Sequence, residues 1–121
     1  MINVRRVYEK EREGEGVRFL VDRLWPRGVS KVSLGHHEWL RDVAPSHELR
    51  RWSGHDPDKW EEFQRRYAAE LDEKEELWQP ILEAARQGEV TLLYAARDTE
   101  RNNAVALKRY LVKKLSDQSG A

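Results

Sequence analysis

The side chains best suited to chemistry follow the apolar run 19–21, which is typical of a buried strand. The polar, aromatic and glycine residues just beyond that run are Asp22, Arg23, Trp25, Arg27 and Gly28. A sheet fixes the end of a strand, and the loop after it presents side chains to a ligand. Because guanidinium groups match pairs of oxygens on phosphate or carboxylate, Arg23 and Arg27 predict an anion pocket, with Trp25 stacking on a base or ring. The alternative is structural: Asp22 pairs with either arginine, and the Trp-Pro dipeptide covers the core.

A second candidate begins at the end of another apolar run, where Arg97 and Asp98 lead through Asn102 and Asn103 into a predicted helix. Free backbone N–H groups and the helix dipole favour an anion at such a helix start. Alternatively, Asn102 or Asn103 simply caps the helix, and capping is favoured over ligand contact. The loop lacks the glycines of a nucleotide-binding motif, so we expect no cofactor.

Three groups near these motifs could transfer protons: Asp22, His55 and Asp98. His55 could act as a general acid or base, and the adjacent Asp56 could orient it, although Asp56 followed by proline also fits a helix cap. The dipeptide 36–37 is His-His, whose side chains would point to opposite faces of a strand. We therefore expect no metal site.

Hydrophobic periodicity predicts the elements that position these residues. Predicted strands cover residues 2–8, 17 to 23 or 24, and 89–96. Predicted helices are a short one after Ser46, one after Asp56, one in which Pro80 must form a kink or lie in the first turn, and a closing one after Asn103. The apolar stripes of the last three are Trp60, Phe63, Tyr67 and Leu71; Leu77, Ile81, Leu82 and Ala85; and Ala104, Leu107, Leu111 and Leu115. Residues 38–43 fit either a short strand or one helical turn, and the charged, glycine-containing segment 9–16 predicts a solvated turn. The pattern indicates an α/β fold: one small domain over residues 1–115, with a mostly parallel sheet of three to four strands flanked by four to five helices. Residues 116–121 are expected to form a flexible tail.

The composition restricts the classes of function. Among 121 residues, 22 Lys and Arg balance 22 Asp and Glu, which disfavours generic binding to nucleic acid or an anionic membrane. The chain has no cysteine, so disulfides and thiol nucleophiles are excluded. The first residues lack the apolar run of a signal peptide, and no segment approaches a membrane span, so we expect a cytoplasmic protein.

Four motifs in order resemble the YeaO-like proteins of the domain-of-unknown-function 488 family. They are Leu20-Val21-Asp22-Arg23-Leu24-Trp25-Pro26-Arg27-Gly28, Ala44-Pro45-Ser46 with Leu49-Arg50 and Trp52, Gly54-His55-Asp56-Pro57 with Trp60, Phe63 and Tyr67, and Thr91-Leu92-Leu93-Tyr94-Ala95-Ala96-Arg97-Asp98 with Asn102-Asn103-Ala104. The resemblance implies a small stand-alone bacterial or archaeal protein and assigns it no reaction. Other branches of that family carry cysteines near the last strand, where this chain has Ala95 and Ala96, so thiol chemistry does not transfer.

These observations lead to two hypotheses. In the first, the chain binds a small phosphorylated or nucleotide-like anion, either as a binding protein or as an enzyme, in an Arg/Asp-rich cleft where the two strand ends meet, with Arg23, Arg27 and Arg97 neutralising the charge. In the second, exposed tryptophans and the basic last helix bind a protein or, less favoured, a nucleic acid. That helix carries Lys108, Arg109, Lys113 and Lys114. Either hypothesis is compatible with a monomer or with a homodimer formed through Trp25 and Trp52.

Overall fold

A parallel four-stranded sheet organises the chain. A computed structural model describes the backbone of residues 1–119 and the side chains of residues 1–117. The strands are β1 (Ile2–Arg6), β2 (Val17–Leu20), β3 (Glu38–Trp39) and β4 (Val90–Tyr94). The α-helices are α1 (Lys31–Leu34), α2 (His47–Ser53), α3 (Trp60–Asp72), α4 (Glu75–Gln87) and α5 (Asn103–Ser119). The predicted α/β class and parallel sheet are confirmed.

The strand order is β1-β4-β2-β3, with every neighbouring pair parallel. The central position of β4 follows from its sequence, because all five of its residues are buried and a strand covered on both faces needs a continuous apolar run. Ile2 of β1 aligns with Val90, and Val17 of β2 aligns with the same residue from the other side. The carboxyl ends of β1, β2 and β4 therefore meet at one edge of the sheet.

One face of the sheet packs against α2, α3, α4 and α5 and forms the main core. Phe19, Leu92 and Tyr94 belong to this core, together with Leu71 of α3 and Leu107 of α5. We call it the helix-covered face. The periodic apolar stripes predicted for α3 and α5 supply its outer layer.

The opposite face is covered by α1 and by loops, and we call it the loop-covered face. Its apolar cluster is small and consists of Val7, Leu20, Leu34 and Leu93. Beside this cluster lies a buried ion pair, in which Arg5 and Glu15 are 4% and 8% exposed. The segment 9–16 is therefore not simply a solvated turn, because Glu15 packs onto the sheet and its carbonyl oxygen accepts a hydrogen bond from the Thr91 hydroxyl at 2.8 Å.

Helix ends follow the capping residues predicted from the sequence. Ser46 accepts a hydrogen bond from the Leu49 N–H at 3.1 Å, and Gly54 ends α2 in the left-handed conformation. The Asp56 carboxylate accepts from the Asp58 N–H and starts a 3₁₀ turn that leads into α3. Pro80 lies inside α4.

Several boundaries differ from the prediction. The strands end earlier than expected, at Arg6, Leu20 and Tyr94, because the chain leaves the sheet to form the loops at its carboxyl edge. Residues 38–43 combine both predicted possibilities, since β3 is followed by a 3₁₀ turn. The short helix α1 was not predicted.

The last helix is longer than predicted. It continues beyond Leu115 to Ser119, so the first part of the predicted tail is helical, and residues 120–121 lie outside the described residues. Across residues 1–119, no helix combines the length and the apolar character needed to cross a membrane.

Candidate functional site

A cleft of ≈ 420 Å³ opens at the carboxyl edge of the sheet. Its walls are formed by residues that follow β2, by α2 and the turn before it, by the start of α3, and by residues that follow β4. This is the position at which open parallel sheets bind ligands, because strand ends and helix starts converge there. We refer to it as the cleft.

The structure places most of the predicted site residues along this cleft. Those that line it are Asp22, Arg23, Trp25, Arg27, His55, Asn102 and Asn103. Arg97 is exposed and does not line the cleft, and Asp98 also lies outside its lining. Two arginines not singled out from the sequence, Arg50 and Arg101, occupy the walls instead.

Asp22 joins β2 to the segment after β4. Its carboxylate accepts hydrogen bonds from the Ala95 N–H at 2.9 Å and from the Asn103 side-chain amide at 3.0 Å. Burial raises the pKa of Asp22, and the hydrogen bonds from Asn103 and Ala95 and the positive charge of Arg50 partly oppose that rise. The Asp22 carboxylate is therefore fixed in place and balanced without a close ion pair.

Arg23, which follows β2, and Arg50, on α2, both line the cleft. The Nε atoms of both side chains are buried and have no hydrogen-bond partner among the described residues. Arg23 donates from Nη2 to the Ala44 carbonyl at 3.3 Å, and its Nη1 lies 3.8 Å from the Asp42 carboxylate. Each guanidinium thus keeps at least one unused donor in the wall of the cleft.

The segment between β4 and α5 uses its donors internally. The Asp98 carboxylate accepts from the N–H groups of Glu100 and Arg101 at 2.9 and 3.0 Å, and these bonds lower the pKa of Asp98. Asn102 caps α5 by accepting from the Val105 N–H at 2.9 Å. Capping by Asn102 was the favoured of the two predictions. With the Ala95 N–H also taken by Asp22, this segment offers an anion fewer donors than expected.

Trp25 and His55 line the cleft but are not placed for the stacking and proton-transfer roles predicted from the sequence. The Trp25 indole donates to the Val29 carbonyl at 2.5 Å and packs against His37 and Trp39. His55 is exposed at the rim, with the left-handed backbone angle φ = 60°, and no hydrogen bond among the described residues joins its ring to a carboxylate. Asp56 acts as the helix cap, as the alternative reading of that motif supposed.

A flat apolar wall was missed by sequence reasoning. Trp60 and Phe63 line the cleft, and their rings are stacked at 5.7 Å with an interplanar angle of 17°. From the sequence, both belong to the apolar stripe of α3 and fit a purely structural role. Arg50 belongs to one of the four family motifs, and this was the signal that could have identified it as a site residue. An arginine on a short helix ordinarily faces solvent, so the motif alone did not place it in the cleft.

The residues invoked for a macromolecular surface are largely engaged within the chain. None of the five tryptophans, all of which lie in the described part of the chain, is fully exposed, so that expectation was wrong. Trp52 packs beneath Arg66, whose guanidinium carbon lies 4.0 Å from the ring centroid. On α5, Arg109 donates to Gln64 at 2.8 Å and Lys114 lies 3.9 Å from Asp72.

Fold and site together define a small parallel α/β domain with a ligand-sized cleft at the carboxyl edge of its sheet. The chain belongs to the family described as the inactive DUF488-N3 subclade, whose model matches residues 1–121. This membership confirms the family resemblance drawn from the four motifs.

Curated relatives extend over nearly the whole domain. The chain is 37% identical over 110 residues to the Escherichia coli protein titled "Uncharacterized protein YeaO", covering 91% of this chain and 96% of that protein. It is 38% identical over 110 residues to "Uncharacterized protein Rv3073c" of Mycobacterium tuberculosis and to "Uncharacterized protein Mb3100c" of Mycobacterium bovis, covering 91% of this chain and 92% of each relative. No solved structure matches the chain.

Proposed function

We propose that the chain binds a small anionic compound in the cleft, between Arg23 and Arg50, and acts as a binding protein rather than as a catalyst. The observation that carries this proposal is the pair of buried Nε atoms that lack a hydrogen-bond partner in the described part of the chain. Leaving a buried donor unpaired costs roughly 1–3 kcal/mol. An oxyanion relieves that cost, because its oxygens accept charge-assisted hydrogen bonds from guanidinium groups.

The charge around the cleft supports an anion as the ligand. Arg27 and Arg101 also line its walls, so four arginines surround a space that contains the carboxylates of Asp22 and Asp56. Asp56 accepts from the Asp58 N–H, and Arg101 pairs with Asp98 outside the lining at 3.1 Å. Arg27 is exposed, so Arg23 and Arg50 are the cleft arginines that hold buried Nε atoms without a hydrogen-bond partner among the described residues.

Binding rather than catalysis is favoured by three features. The family description itself uses the word "inactive". The chain has no cysteine, and Ala95 and Ala96 follow β4. The three groups proposed for proton transfer lack the mutual contacts of a catalytic set: Asp22 is held by Asn103, Asp98 binds backbone N–H groups, and His55 stands apart.

The test is calorimetric titration of the purified chain with phosphate, sulfate, sugar phosphates and nucleoside monophosphates, supported by thermal unfolding. A ligand that binds the native state raises Tm by mass action. We expect binding of at least one anion class and a loss of about tenfold or more in affinity for Arg23→Ala and for Arg50→Ala, since each removes a charge-assisted bond. Arg50→Lys should also weaken binding, because a lysine ammonium keeps the positive charge but lacks the planar guanidinium donors that bind two oxygens at once.

The matched control is Arg65→Ala, which removes an exposed arginine paired with Glu62 on α3. Its affinity should equal that of the unmodified chain. The proposal is overturned if no anion binds to the folded protein, or if Arg65→Ala weakens binding as much as the two cleft substitutions.

A further inference from the structure

We propose that the ligand is a nucleoside monophosphate whose base carries an amino group, and that Asp22 reads this group. The inference rests on the anion binding proposed above and assigns the rest of the cleft. Three observations carry it: the size of the cleft, the stacked pair Trp60 and Phe63, and the position of the Asp22 carboxylate.

The size of the cleft requires more than an inorganic ion. Its volume of ≈ 420 Å³ falls in the range of about 300–1,000 Å³ that is typical of sites for organic ligands. A phosphate group between Arg23 and Arg50 would occupy only one part of this space. The remaining part adjoins Pro57, Trp60 and Phe63, which have apolar surfaces.

The stacked rings of Trp60 and Phe63 favour a flat, apolar group. Trp60 lies at the start of α3 and its position is fixed from two directions, by Phe63 at 5.7 Å and by the Arg109 guanidinium at 5.8 Å from the ring centroid. Aromatic side chains held in this way offer an apolar contact to a nucleobase, because every base has an apolar face. This assigns the base to the Trp60 side, and not to Trp25, which packs against His37 and Trp39.

Asp22 favours a donor on the same ligand. An ionised carboxylate has about four acceptor sites, and the hydrogen bonds from Ala95 and Asn103 use one site on each oxygen. Asp22 is half-buried and lines the cleft, so a ligand can reach the remaining sites. A bare anion is repelled by this carboxylate, whereas an amino group on a base donates to it, as carboxylates do with the cytosine amino group in nucleic-acid recognition.

The experiment compares ligands that differ in the amino group. Adenosine monophosphate is titrated against purine riboside monophosphate, which lacks only that group, and cytidine monophosphate against uridine monophosphate. We expect at least one amino-bearing member to bind about tenfold tighter than its counterpart, since a hydrogen bond to a charged group is worth roughly 1.5–3 kcal/mol. In Asp22→Asn the ratio of the two affinities should fall towards one. Binding should still be weakened by substitution of Arg23 or Arg50.

The control is Asp117→Asn, an exposed residue near the end of α5, which should retain the preference. If all four nucleotides bind equally through Arg23 and Arg50, this inference is overturned and the anion proposal stands. If adenosine binds as tightly as its monophosphate, or no nucleotide binds while another anion does, the nucleotide assignment is also overturned. If no anion binds at all, both proposals fail.

Discussion

The two faces of the sheet are buried by different means. The helix-covered face packs large apolar residues such as Phe19 and Leu92 against four helices. The loop-covered face has a small apolar cluster, and the chain completes it with the buried Arg5–Glu15 pair. A large apolar core tolerates substitutions that conserve side-chain volume, whereas removing one partner of a buried ion pair leaves an uncompensated charge and destabilises the fold.

The cleft lies where these two coverings meet. Asp22 follows Leu20 of β2 by two residues, and Leu20 belongs to the small cluster on the loop-covered face. Ala95, whose N–H donates to Asp22, packs against the same cluster. Asn103, at the start of a helix from the other face, donates to Asp22 and also to the Val21 carbonyl at 3.1 Å. The contacts of Asp22 with Ala95 and Asn103 therefore join the two coverings at the cleft.

The largest expected effect comes from breaking the ion pair on the loop-covered face. Glu15→Ala leaves the Arg5 guanidinium buried without its partner, and we expect a loss of about 3–5 kcal/mol in the free energy of unfolding, measured in urea. Arg5 retains one bond from Nη1 to the Glu9 carbonyl at 2.8 Å, which does not compensate the charge.

Two controls isolate the effect of burial. Glu62→Ala removes the carboxylate of an exposed pair on α3 and should change stability little. The double substitution Arg5→Met with Glu15→Leu removes both charges and should recover most of the loss. An equal loss for Glu15→Ala and Glu62→Ala would remove the contrast between the two faces.

A smaller difference is expected between adjacent core residues of β4. Leu92 faces the helix-covered side and Leu93 the loop-covered side, and both are fully buried. Substitution by alanine should cost about 2–5 kcal/mol at either position, with Leu92→Ala near the upper end, because the cost rises where the surroundings collapse less. Loops and a one-turn helix relax around a cavity more readily than four packed helices. Urea unfolding of both variants tests this, and a larger loss for Leu93→Ala would reverse the ranking.

Sequence patterns predicted the helix-covered face well and the loop-covered face poorly, for a physical reason. The run 90–94 and the caps Ser46 and Asp56 are local features whose outcome depends on neighbouring residues. The segment 9–16 has the composition of a solvated turn, and only the tertiary position of Arg5 makes burial of Glu15 favourable.

The candidate site shows the same division. Strand ends are visible in the sequence, so the cleft-lining position of Asp22 and Arg23 agrees with the expectation of a site at the end of β2. Arg50 and Trp60 reach the cleft through the packing of α2 and α3, which no local pattern specifies. Arg97 and Arg101 follow the same strand, and which of them faces the cleft depends on the turn built around Asp98.

The smallest expected effect concerns the pH dependence of the junction at Asp22. Burial raises the pKa of Asp22 in the folded chain above its ordinary value of 3.8, so the folded chain binds this proton more readily than the unfolded chain. Its contribution to stability is therefore fully present below the unfolded pKa and is lost as the pH rises through the folded pKa. The chain should gain stability relative to Asp22→Asn as the pH falls from neutral towards 3.8.

Asp98 provides a comparison of opposite sign within the same edge of the sheet. Hydrogen bonds from the Arg101 and Glu100 N–H groups lower the pKa of Asp98, so its contribution is present above the unfolded pKa and is lost as the pH falls through the folded pKa. The free energy of unfolding in urea is measured across this pH range for the unmodified chain, Asp22→Asn and Asp98→Asn. As the pH falls, the stability of the unmodified chain should rise relative to Asp22→Asn and fall relative to Asp98→Asn. If both stability differences changed in the same direction with pH, Asp22 would be as well solvated as an exposed carboxylate. The hydrogen bonds of Asp22 would then not form a buried contact between the two faces.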